Sequence, residues 1–61
     1  MSTKASLDEA LEAAVRQQFI TLFLVLMAEA STSKAIDRFE AGVRRLIENE
    51  AKAAGVIERL P

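Results

Sequence analysis

The sequence predicts an all-α protein: a two-helix antiparallel hairpin that dimerises into a four-helix bundle. Three observations predict it. Of its 61 residues, 51% are hydrophobic, with two Gly and one Pro, which is the composition of a helical chain. Apolar residues recur at helical spacing on both sides of Ser31-Thr32-Ser33, as in two amphipathic segments. The stretch FITLFLVLMA, residues 19–28, is apolar on more sides than one neighbouring helix can cover. The competing prediction is one long continuous helix in a coiled-coil-like oligomer, because Ser31-Thr32-Ser33 contains neither Gly nor Pro. Uncapped helical patterns beyond about 25 residues are uncommon outside coiled coils, and this favours the hairpin.

The first helix is predicted over about 7–30. Ser6 and Glu9 have the spacing of a capping box, in which an N-cap hydroxyl and a carboxylate three residues on satisfy each other's backbone N–H. Asp8, Glu9 and Glu12 then sit near the positive end of the helix dipole,. Ser31, Thr32 and Ser33 bond their own backbone readily and interrupt the helix. The second helix is predicted over about 34–54, capped by Thr32 or Ser33 and closed by Gly55 in a left-handed C-cap,. The whole chain is read as one helical-hairpin domain, with residues 1–5 and 56–61 as disordered tails or, for the second, one more turn.

At 100° per residue, Leu7, Leu11, Ala14, Val15, Leu22, Val25 and Leu26 form one stripe that can face the second helix,. Opposite it, the N-terminal half is charged, whereas the C-terminal half presents Ile20, Phe23, Leu24 and Met27. The second helix is amphipathic, with Ile36, Phe39, Val43, Leu46, Ile47 and Ala54 on one arc,. A lone hairpin therefore leaves large side chains of the first helix in water, each worth about 1.5–3 kcal/mol when buried. Phe19, Ile20, Phe23, Leu24 and Met27 are the predicted oligomer interface, with a second copy of the chain as partner. A larger protein partner, or a place as tether in a bigger assembly, is a weaker expectation.

Two polar residues interrupt the apolar arcs, Gln18 and Glu50. In a hairpin turning near Thr32, Glu50 stands level with about position 14, within reach of Gln18 or Arg16. Such a contact could fix register; the plainer expectation is that both residues sit at the edge of the core, since Glu is almost never fully buried unpaired.

Lys34, Arg38, Arg45 and Lys52 fall on one line of the second helix. A duplicated basic stripe can track phosphates, so nucleic acid or an acidic partner is the alternative to self-association. Against it stand a net charge of −1, acidic residues on the neighbouring line, and no Tyr or Trp to stack on a base,.

Without His or Cys, nucleophilic triads, thiolate chemistry and the commonest metal ligand are missing. No Gly-rich phosphate loop occurs,. A non-enzymatic protein with no cofactor and no metal is expected. A membrane span is not expected: ten apolar residues rise about 15 Å against a hydrocarbon core of about 30 Å, and the flanks carry Arg16, Gln17, Gln18 and Glu29. The acidic, signal-free start and the absence of Cys place the expectation in the cytoplasm.

Overall fold

The computed structural model describes residues 3–29 and 32–61. The described residues form two helices and no strand: α1, Thr3–Ala28, and α2, Ser33–Arg59. They lie antiparallel against each other as a hairpin. Lys4 Nζ donates to the Glu58 carbonyl at 3.0 Å at the open end. The Phe23 and Phe39 rings meet at 5.1 Å between centroids in the half nearer the turn. The continuous-helix alternative is not what forms.

Thr32 begins α2. Its backbone is extended (φ −106°, ψ 159°), and its hydroxyl accepts from Ala35 N–H at 3.1 Å, the N-cap geometry expected of a Thr at that place. Ser33 is the first helical residue; Ser31 lies outside the described residues.

α1 starts before its predicted bound and ends at Ala28, short of the predicted residue 30, whereas α2 outruns its predicted bounds at both ends. α1 starts at Thr3, so Ser6 is an interior helical residue and no cap. Lys4 and Ala5 are good helix formers, and the Lys4 ammonium finds carbonyl acceptance at the C-terminal end of α2, a favourable place for a cation. α2 continues through Gly55, which keeps a negative φ, so the predicted left-handed C-cap does not form. The stop is Pro61. It pushes Leu60 out of the helical region, to φ −70°, ψ 145°, because the residue before a proline disfavours α. Residues 3–5 and 56–59, predicted as tails, are therefore helical.

The hairpin is one layer thick. Its Cα extents are 46 × 17 × 6 Å and its radius of gyration is 14.5 Å; a compact domain of this length would have about 10.5 Å. Among the described residues only Val15 and Ala35 are buried. The seam runs through Leu11, Val15, Phe19, Leu22 and Leu26 of α1 and through Ala35, Phe39, Val43, Leu46 and Ala53 of α2, all buried or half-buried. Three residues expected in the α1 stripe, Leu7, Ala14 and Val25, are exposed instead. In a helix that is apolar nearly all round, several arcs compete for the seam, and the neighbour selects one.

Candidate interaction surface

A two-helix slab has two flat faces, and three shallow grooves show which residues share each. Glu12, Val15, Arg16, Phe19 and Glu50 line one groove. Gln18, Leu22, Gly42, Arg45, Leu46 and Asn49 line a second. Leu22, Val25, Leu26, Glu29, Ala35, Arg38 and Phe39 line a third. The first lies on one flat face; the other two lie on the opposite face.

The remaining residues follow from a rotation of about 100° per residue. Ile20, Phe23 and Met27 stand on the same flank of α1 as Arg16. Ile36, Val43 and Ile47 stand on the same flank of α2 as Glu50. Together they make an apolar face, with Ile20, Phe23, Met27, Ile36 and Ile47 all exposed. Its open end is polar, carrying Glu12, Arg16 and Glu50. The opposite face holds Lys34, Arg38, Arg45 and Lys52, all exposed, with Glu29 as the acid bonded to Arg38.

The predicted interface residues are thus divided. Ile20, Phe23 and Met27 share the apolar face. Leu24 is exposed at the outer edge of α1. Phe19 is half-buried and turned toward α2, so it belongs mainly to the seam. Ile36 and Ile47 were assigned to the seam by periodicity but remain 54% and 52% exposed: the apolar arc of α2 is wider than α1 can cover. They are the surface residues that the sequence reading missed, and the width of that arc was the available signal.

The predicted basic residues do share one face, opposite the apolar one. Asp37, Glu40 and Glu48, expected beside them, point to the outer edge of α2 or to the apolar side. Glu40 pairs with Arg44 at 2.8 Å along α2. No ion pair joins Glu12 to Arg16 or Glu48 to Arg44 among the described residues. Glu50 stands level with the Val15 region as expected and lines the groove with Arg16, half-buried at the edge of the seam; Gln18 opens on the other face.

A further open concavity, about 530 Å³, is lined by Ser6, Glu9, Ala10, Glu12, Ala13 and Arg16, residues of α1 alone. One convex helix cannot enclose a ligand as binding pockets do. Among the described residues no group of three metal-ligating side chains comes together.

α1 does satisfy the length and composition of a membrane span. Its 26 residues include an 18-residue stretch of mean hydropathy 1.4, of which 6% is buried in the hairpin. The helix is longer than its apolar run, so the length objection drawn from ten residues does not hold for the whole element; the polar interruption at Arg16, Gln17 and Gln18 remains costly inside a bilayer.

No family model, no curated protein and no solved structure matches the chain.

Proposed function

We propose that this protein is a small non-enzymatic module that works by associating with itself, its hairpins pairing into a four-helix bundle. The carrying observation is the excess of surface. The chain exposes 4984 Å², whereas a folded monomer of 6.7 kDa exposes about 3,900 Å². The difference, about 1,100 Å², is comparable to the roughly 800 Å² that each partner buries in a standard protein interface. The radius of gyration of one copy, 14.5 Å, exceeds the roughly 10.5 Å of a compact domain of this length, as expected of a slab with exposed faces. Domains are built from packed layers around a core, and a single copy buries little more than Val15 and Ala35 among its described residues. A cytoplasmic compartment fits the absence of cysteine,.

Sedimentation or light scattering across a range of concentrations tests the proposal. The expected result is an assembly of two or more copies, with a melting temperature that rises with protein concentration. A folded monomer at micromolar concentration overturns it.

A second reading is a nucleic-acid-binding regulator. It is favoured by the placement of Lys34, Arg38, Arg45 and Lys52 on one flat face, where Gln18 and Val25 of α1 are neutral neighbours and Glu29 is the acid paired with Arg38. Binding to an RNA or DNA duplex at low salt, falling steeply as salt rises, would support it; absence of binding at low salt would remove it. Flotation with lipid vesicles checks the membrane reading that the length of α1 raises.

A further inference from the structure

We propose that the second copy seats on the turn-proximal half of one flat face, so that α2 contributes to the contact as much as α1. The contact is then built from Ile20, Phe23 and Met27 of one helix and Ile36, Val43 and Ile47 of the other. This rests on the self-association reading above and names the surface that performs it.

Apolarity alone does not choose this surface. Leu24 and Val25 are 62% and 52% exposed, as much as Phe23 at 49%. What chooses it is the rotation of the two helices about their seam. The Phe23–Phe39 ring contact and the approach of Leu22 to Gly42 set the two helices level, so the Ile20–Phe23–Met27 row and the Ile36–Val43–Ile47 row run side by side. They merge into one apolar surface two helices wide. Leu24 and Val25 have no such neighbours: Leu24 stands at the edge, and Val25 opens onto the groove with Arg38.

Charge selects the same half of the same face. On the seam side of the two rows no charged side chain is found among the described residues; Glu40, one turn from Ile36, borders the face and is paired with Arg44, and Glu12, Arg16 and Glu50 lie toward the open end. A copy seated on the opposite face would set Lys34, Arg38, Arg45 and Lys52 against their own duplicates. An uncharged surface is self-complementary, as a two-fold contact requires, and it asks no charge of its partner. The area excess is sufficient for one such contact per copy,. The basic face therefore remains outward in the pair.

Four single variants test this by their dissociation midpoints in sedimentation or light scattering. Phe23→Glu and Ile36→Glu each place a carboxylate inside the contact, and each is expected to weaken association by at least about tenfold, since an unpaired buried charge is worth several kcal/mol and 1.4 kcal/mol is a factor of ten. Leu24→Glu and Val25→Glu are expected to change it by less than about threefold, as surface substitutions usually shift free energies by about 0.5 kcal/mol or less. Because loss of pairing can unfold a copy with so thin a seam, Ile36→Ala and Leu24→Ala are read alongside, with helicity monitored at high concentration; a larger loss of association for Ile36→Ala is expected. A wild-type chain that is monomeric throughout overturns the self-association reading itself. An oligomer that responds to Leu24→Glu or Val25→Glu, and not to Phe23→Glu and Ile36→Glu, leaves that reading standing and overturns the surface named here. An oligomer that responds to Phe23→Glu but not to either change at Ile36 also overturns it, since the contact would then belong to α1 alone.

Discussion

The two flat faces of the hairpin are made by the same two helices, yet one is apolar in its turn-proximal half and the other carries four cations. A net charge of −1 averages this difference away. The lesson is that a small protein can keep two distinct surfaces without a domain boundary, because each helix turns a different flank to each side of a common seam. The seam is thin, with Val15 and Ala35 the buried residues among those described, so the distinction between the faces depends on a few contacts. Substitutions that spread or loosen those contacts test how firmly the two faces are held apart.

The largest effect is expected at the seam itself. Val15 is 8% exposed and lies between the helices, so Val15→Asp buries an unpaired carboxylate that serves neither face. The expected cost is about 3–5 kcal/mol, comparable to the whole stability of a small domain. Circular dichroism should show loss of most helicity at neutral pH. A variant that keeps wild-type helicity and melting temperature would show that the seam is not what holds the faces apart.

The turn comes next. Thr32→Ala removes the hydroxyl that accepts from Ala35 N–H and is expected to cost about 1 kcal/mol, read as a lower melting temperature. Thr32→Ser or Thr32→Asp should retain most of the stability, since both can accept the same bond. Equal losses for all three substitutions would remove the cap from the account.

How much of this was legible in the sequence depends on whether a feature is local. The cap at Thr32 and the amphipathic arc of α2 follow from residue type and spacing. The end of α2 was misread because glycine is a frequent C-cap, but Gly55 acts as one only if it adopts positive φ; the apolar residues beyond it, Val56 and Ile57, carry the helix on until Pro61 forbids it. The rotation of α1 was not legible. Leu7, Ala14 and Val25 on one flank compete with Phe19 for the seam, and only contact with α2 decides among them. The division into apolar and basic faces depends on that rotation, so it could be seen only once both helices were placed. Even so, Ile36 and Ile47 gave a hint, since they broaden the arc of α2 beyond what one partner covers.

The two glycines of α2 sharpen the picture at a smaller scale. At Gly55 a Cβ would meet nothing within 4 Å, and the backbone is already helical. Gly55→Ala should therefore stabilise by about 0.4–1 kcal/mol, by restricting the unfolded chain. At Gly42 an added Cβ would come within 2.8 Å of Leu22 Cδ2, so Gly42→Ala must move that side chain before it gains the same benefit. Gly42 lines the groove on the basic face, and its substitution reports how tightly the seam closes on that side. Thermal melts of both variants should place Gly55→Ala above wild type and Gly42→Ala below Gly55→Ala. Equal stabilisation would mean that Leu22 yields at no cost.

The smallest effect is expected from the ion pair that bridges the helices on the basic face. Arg38 donates from Nη2 to Glu29 Oε2, and the Arg38 side chain is 68% exposed. Pairs this exposed contribute about 0.2–1 kcal/mol at best, and salt screens them. Glu29→Gln should lower the melting temperature only slightly at low salt and not at all at high salt. Its consequence for the surface is larger than its consequence for stability. Glu29 is the acid paired on that face, so removing its charge leaves Arg38 without its partner and makes all four cations available to an anion. If the basic face binds nucleic acid, Glu29→Gln should tighten binding at low salt while leaving the oligomeric mass unchanged. Tighter binding accompanied by a change in mass would show that the two faces are coupled, and the separation argued above would fail.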